Sequence, residues 1–319
     1  MMAPALEFDR VSRDFALPDG RLYRALDQIS FAISAGSFVA IAGPSGCGKS
    51  TLLNIAAGLL TPSSGRVHVD GEPVDGLNRS ATYMFQQDAL LPWKTVRDNV
   101  ALGLTLSGVT RAEAHARADA WLARVGLAAF AAHYPSQLSG GMRKRVTMAQ
   151  NWIIDRGMLL MDEPFSALDV HTRLRMETEL LALWESRSAD QPPPRLRRSA
   201  VASANAESLA LQETGGQASQ AGGDRETGGR AFQASRDRKT IVFVTHDLEE
   251  AIALADEVVV LSAGPAAHVV ARHPVTLDRP RDLMELRTSE AFVDLYRALW
   301  VVLREEVIRS QRSAEATRA

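Results

Sequence analysis

FVAIAGPSGCGKSTLLNIAAGLL (38–60) is the stretch on which the reading of this chain turns. FVAIA (38–42) is an uninterrupted apolar run, as expected of a strand covered on both faces of a parallel sheet. It runs straight into GPSGCGKST (43–51), and LLNIAAGLL (52–60) follows as a helical pattern. Gly43, Gly46 and Gly48 let the backbone curl until successive N–H groups point at phosphate oxygens. The following helix adds its positive end. Lys49 is placed to reach β- and γ-phosphates, and Ser50 offers its hydroxyl to Mg²⁺. Gly43, Pro44, Ser45, Gly46, Cys47, Gly48, Lys49, Ser50 and Thr51 are therefore read together as a segment that cradles nucleotide phosphates.

Working outward, MLLM (158–161), TIVFVT (240–245) and VVVLS (258–262) repeat the buried-strand pattern, with helical patterns between them. MLLM runs into Asp162 and Glu163, two carboxylates where a strand meets the phosphate loop. Asp162 sits where an acid that holds Mg²⁺ belongs, and Glu163 is placed to orient a water on the γ-phosphate. His246 ends TIVFVT at the same sheet edge, within reach of that phosphate. Before this core, LEFDRV (6–11), ALDQISFAI (25–33) and RVHVDGEPV (66–74) read as antiparallel strands around Pro18-Asp19-Gly20 and Asp70-Gly71 turns. From 95 the strand signal gives way to helix, with a capping box at Thr110–Glu113. The fold class is α/β: a mostly parallel sheet with helices, an N-terminal antiparallel β-subdomain and an inserted helical subdomain at 95–150. Residues 270–319 read as a helical extension, and SEAFVDLYRALWVVLREEV (289–307) is amphipathic.

Composition narrows the function. With 36 Lys and Arg against 38 Asp and Glu, the net charge of -2 gives no basic excess for nucleic acid. The single cysteine, Cys47, cannot form an internal disulfide, which fits a reducing compartment. The N-terminus lacks the apolar core of a signal peptide. No apolar run approaches the ~18 residues of a spanning helix, and AIALADEVVVLSAG (251–264) is interrupted by Asp256 and Glu257. Residues 188–238 are rich in Ala, Gly, Ser, Gln and Pro, with only five Leu, Val or Phe, so disorder is expected. ETGG recurs there at 213–216 and 226–229, as in a duplicated spacer, and Arg195, Arg197 and Arg198 read as a solvated charge run.

LSGGM (138–142) completes the pattern. Ser139, Gly140 and Gly141 open a second glycine-led helix, again suited to phosphate. GPSGCGKST (43–51), LSGGM, MDEP (161–164), SALD (166–169) and His246, in that order, resemble the ATP-binding subunit of ABC transporters. FQQDALLPWKTVRDNV (85–100) and RPRD (279–282) look most like the nitrate, sulfonate and taurine import branch. The resemblance implies an ATP hydrolase with ATP and Mg²⁺ as ligands, forming a head-to-tail homodimer. Ser139, Gly140 and Gly141 would serve the partner's nucleotide, and Asp169 in SALD would reach across the dimer. Glu163, His246 and Gln86 would carry catalysis, with Ser50, Gln86 and Asp162 at the metal. Phe15 is implied as the aromatic under adenine, with Tyr23 as an alternative because the register of 16–24 is open. Leu90, Leu91, Pro92 and Trp93, within a surface from Gln86 to Trp93, would receive the membrane permease, itself served by a periplasmic or lipoprotein substrate-binding protein.

The implied location is peripheral, on the cytoplasmic face of the bacterial inner membrane. Rival readings are a soluble ABC-type ATPase acting on nucleic acid or ribosomes, and a P-loop kinase or GTPase. Against the first stand the charge and the presence of one ATPase domain without a long coiled coil. LSGGM and the SALD–His246 pair oppose the second. Residues 188–238 then read as an insertion in a surface loop. Replacing them with a short Gly/Ser turn is expected to leave melting temperature and basal ATPase nearly unchanged; loss of ATPase would show that they are structural.

Overall fold

The computed structural model describes residues 3–166, 168–185 and 238–318. Its first half comprises β1 (Leu6–Ala16), β2 (Leu22–Ile33), β3 (Phe38–Ala42), α1 (Lys49–Ala56), β4 (Ser64–Val69), β5 (Glu72–Pro73) and β6 (Ala81–Met84). Helices α2 (Val96–Leu106), α3 (Arg111–Arg124) and α4 (Gly140–Trp152) follow, then β7 (Met158–Asp162) and α5 (Val170–Glu185). The remainder is β8 (Thr240–Thr245), α6 (Leu248–Leu254), β9 (Glu257–Leu261), β10 (Val269–Pro274), α7 (Leu283–Leu286) and α8 (Glu290–Arg318).

A six-stranded sheet in the order β10-β9-β3-β8-β7-β6 carries the core, parallel except at β10. Every residue of β3, β7 and β8 is buried, because both faces of this sheet are covered. Val39, Ile41, Leu160, Val242 and Val244 face a cluster with Leu52 and Leu53 of α1 and with Leu6, Phe8 and Ile29 of the second sheet. Their neighbours Phe38, Ala40, Leu159, Met161, Ile241 and Phe243 face the other cluster, with α2, α3 and α4. Alternate side chains thus enter different cores, and polar residues are confined to the strand ends, at Asp162, Thr240 and Thr245.

The second sheet is antiparallel, in the order β2-β1-β4-β5. Asp70 and Gly71, at φ 52° and 85°, form the positive-φ turn that Asp-Gly favours in a two-residue hairpin. Both strands of the first hairpin run beyond the expected spans, up to a turn where Leu17 N–H donates to Arg21 O at 2.8 Å.

Two strands depart from the sequence reading. β6 was not expected; ATYM is a short edge strand bonded only to β7, so it lacks the long apolar run that marks the central strands. The extension read as helical from 270 opens on β10, also an edge strand, whose alternate residues are exposed. Its helices begin only at Leu283 and Glu290.

Thr110 accepts from Glu113 N–H at the start of α3, as its capping pattern requires. In α2 the buried face carries a polar residue, Asn99, fully enclosed. Its amide donates to the carbonyls of Leu91, Lys94 and Thr95 and accepts Leu91 N–H at 2.7 Å. One side chain therefore fixes the 91–95 segment. Asn99→Leu is expected to cost ~1–3 kcal/mol, the penalty for stranding buried backbone groups. An unchanged urea midpoint would contradict that role.

The insertion read at 188–238 lies outside the described residues, Arg238 apart. Its flanks meet: Trp184 Nε1 donates to Lys239 O at 2.7 Å, and the Arg238 guanidinium lies 4.6 Å over the Trp184 ring.

Candidate functional site

Residues 43–48 turn β3 into α1. Gly48 caps the helix at φ 80°, ψ 47°, left-handed backbone that glycine adopts without strain, and no side chain caps the free N–H groups beyond it. Lys49 is buried and points back, its Nζ donating to Gly43 O at 3.0 Å and Pro44 O at 3.2 Å. Uncapped N–H groups and a buried ammonium at one loop make an anion cradle. Cys47 is also buried; burial raises its thiol pKa, while Lys49 acts against that.

β7 lies one strand away from β3, beyond β8, and delivers the carboxylates. Ser50 Oγ donates to Asp162 Oδ1 at 2.8 Å, and the Tyr83 hydroxyl lies 3.5 Å from Asp162 Oδ2. Burial pushes the Asp162 carboxyl above its ordinary range, with the Ser50 hydrogen bond opposing. A hydroxyl and a buried carboxylate side by side are hard oxygen donors that suit Mg²⁺. Tyr83 was missed by sequence reasoning, because β6 itself was.

Glu163 has φ 42°, a strained conformation for a residue with a side chain. Its N–H still donates to Val244 O at 3.0 Å, and Ser166 N–H and Oγ–H both donate to its carbonyl. The carboxylate is thereby turned toward its neighbours. Gln86 Nε2 donates to Glu163 Oε2 at 3.1 Å, and His246 Nδ1 lies 3.3 Å from Glu163 Oε1. Gln86, Glu163 and His246, far apart in sequence, thus stand together.

The residues around His246 are clamped in turn. Thr245 Oγ1 hydrogen-bonds Glu250 and accepts Asp247 N–H at 3.0 Å, while Arg173 donates to Asp247 Oδ2 at 2.8 Å. Burial pushes the Glu250 carboxyl up to about 8, against the Thr245 hydrogen bond, and the charges of Glu177 and Asp247 add to the rise. Between its ordinary 4.5 and about 8, the folded chain keeps a proton that the unfolded chain has lost. Stability from this group is therefore greatest below the lower value and declines as pH rises through the interval. Glu250→Gln should flatten that decline, whose limit is ~1.4 kcal/mol per pH unit for one group. Urea midpoints at mildly acidic and mildly alkaline pH would test it; parallel losses in both proteins would refute it.

Ser139 caps α4, accepting Met142 N–H at 3.3 Å, so Ser139, Gly140 and Gly141 form a helix start, exposed at Ser139 and Gly140 and half-buried at Gly141. A methyl on Gly141 would fall 2.7 Å from Thr172 Cγ2 of α5. Asp169 Oδ1 accepts Thr172 N–H at 3.0 Å, a capping contact within its own chain. Helix α4 is also tied to the Gln86 loop: Lys144 Nζ donates to Gln86 O at 3.1 Å, and Arg143 pairs with Asp88 at 3.3 Å. A link from Gln86 to the helical subdomain is what the family resemblance implies; composition gave no sign of these particular partners.

Phe15 pairs directly with Tyr23 across β1 and β2, which places both on one face of the hairpin. The Arg13 guanidinium lies 4.7 Å over the Phe15 ring. Leu90 and Leu91 are half-buried, whereas Pro92 and Trp93 are exposed.

A glycine-rich loop with a buried lysine, an acid beside its serine, and a second glycine-led helix on an inserted subdomain form the pattern of an ATP-binding cassette. The ABC transporter family model matches residues 26–166. The chain is 34% identical over 309 residues to the uncharacterized ABC transporter ATP-binding protein MJ0412 of Methanocaldococcus jannaschii, covering 97% of this chain and 95% of that protein. It is 37% identical over 302 residues to the taurine import ATP-binding protein TauB of Rhizobium johnstonii, covering 93% and 96%. A solved dimeric, post-hydrolysis structure of the ATP-binding cassette MJ0796 with ADP and Pi superposes with a TM-score of 0.62 at 26% identity, covering 86% of this chain and all of that one. The chain belongs to the ABC transporter ATP-binding family. It is an ATP-binding, ATP-hydrolysing subunit.

Proposed function

We propose that this subunit drives solute import, of taurine or a related sulfonate or of nitrate, through a separate membrane permease. The observation that carries the reading is the near full-length similarity to a taurine import ATP-binding protein, with a second such protein matched over about three quarters of the chain. Among the described residues no helix is long and apolar enough to cross a membrane, so the permease would supply the pathway and hold the subunit at the cytoplasmic membrane face. In this reading the phosphates of ATP lie on 43–51, with Lys49 on the β- and γ-phosphates. Ser50, Asp162 and Gln86 would hold Mg²⁺, which when bound neutralises phosphate charge. Glu163 accepts the proton of the attacking water, while Gln86 and His246 orient that carboxylate and the γ-phosphate. Two copies associate head to tail, each lending Ser139–Gly141 to the other's nucleotide and Asp169 to the shared interface.

The permease surface is supported by a cavity of about 790 Å³ between the six-stranded sheet and α2, lined by Phe85, Ala89, Leu102 and Leu106. Leu106 is 80% exposed there and Phe85 45%. Exposed apolar side chains around a concavity mark an interaction site. The cavity begins beside Gln86 but lies along Phe85 and Ala89 more than along 90–93. Leu106→Glu is expected to abolish co-purification from membranes with a multi-spanning partner while melting temperature holds. Retention of that partner would place the contact elsewhere, and recovery of the wild type with ribosomes instead would refute the transport reading.

A further inference from the structure

The loop 263–267 between β9 and β10 has no part in the chemistry above, yet it lies beside the phosphate loop. A methyl on Gly264 would lie 3.5 Å from Gly46 O, 3.8 Å from Cys47 Cα and 3.3 Å from the Tyr23 hydroxyl. On one side the loop is stitched to β2: Ala266 N–H donates to Arg24 O at 2.7 Å and Ala267 N–H to Ala25 O at 3.1 Å. On the other side it is held by α8. Glu306, only 4% exposed, accepts Ala263 N–H on Oε2 at 2.8 Å, and Arg309 pairs with its Oε1 at 3.1 Å. The helix is anchored beneath by buried Phe292, Leu299 and Leu303.

We propose that Glu306 is a positioning residue for the nucleotide site, through which the C-terminal helix holds the 263–264 loop against Tyr23 and the phosphate loop. A buried carboxylate is retained only where its oxygens are partnered, and a charge-assisted bond to a backbone N–H is strong and directional. A rigid helix is the element best suited to fix a loop at a site. The charge of Glu306 also adds slightly to the rise that burial causes in the Cys47 thiol pKa. The inference rests on reading 43–51 as the ATP phosphate loop.

The test is titration with trinitrophenyl-ATP beside steady-state MgATP hydrolysis in the full chain. Glu306→Leu removes the acceptor and should raise both Kd and KM ~10-fold, the loss typical of one charged hydrogen bond, with kcat within about twofold. Glu306→Gln keeps an oxygen for Ala263 N–H and should stay near wild type. Glu306→Asp keeps the charge but withdraws it by one methylene, and should show a smaller rise if the leucine variant does not fold. Unmoved Kd and KM in Glu306→Asp and Glu306→Leu, or equal damage in Glu306→Gln, would overturn the proposal. Lys49→Ala separates the two readings: if it binds nucleotide like wild type, the phosphate-loop reading has failed. If only Lys49→Ala weakens binding, the Glu306 role alone has failed.

Discussion

Glu163→Gln should reduce ATP hydrolysis ~10²–10⁴-fold, the usual worth of a positioned general base. The amide keeps the shape of the side chain, so Gln86 and His246 retain a partner of the same size. It removes the basic oxygen and nothing from the phosphate loop. ATP should therefore still bind, and the nucleotide-bound dimer should accumulate and elute as twice the monomer mass in size-exclusion chromatography. A variant that hydrolyses at wild-type rates would remove Glu163 from the chemistry. One that is inactive yet monomeric with ATP would overturn the composite site in which Ser139 serves the partner's nucleotide.

Lys49→Ala is the second large effect. The wild-type ammonium is buried and satisfied by the carbonyls of Gly43 and Pro44, which holds it at the loop. Alanine removes the one cation of the cradle. Charged hydrogen bonds are each worth ~1.5–3 kcal/mol, so nucleotide affinity should fall at least ~10-fold and hydrolysis with it. The fold should survive, because Leu52, Leu53 and Ile55 of α1 carry the packing of that helix. Equilibrium binding and far-UV circular dichroism check both halves. Undiminished ATPase activity would sink the phosphate-loop assignment.

Motifs that are contiguous in the chain were legible because their chemistry is local. GPSGCGKST announces itself by glycines, one lysine and one hydroxyl between a strand and a helix. The same holds for the carboxylates after MLLM and for the glycines opening α4. The central strands were legible because a sheet covered on both faces admits apolar residues at every position. The edge strands β6 and β10 escaped, since an edge position does not impose that pattern.

The sequence by itself therefore determined the kind of sheet, the glycine-rich loop between β3 and α1, and the residue types of the candidate site. Tertiary structure decided which of those residues meet. Gln86, Glu163 and His246 come from three separate segments, and only the strand order places them within hydrogen-bonding distance. The register of β1 with β2 set Phe15 against Tyr23, a pairing that turn composition left open. The tie of Lys144 to Gln86, the Asn99 clamp and the hold of Glu306 on Ala263 all join residues distant in the chain. Side chains reach such partners only after the backbone has closed, so composition and spacing carry no trace of them.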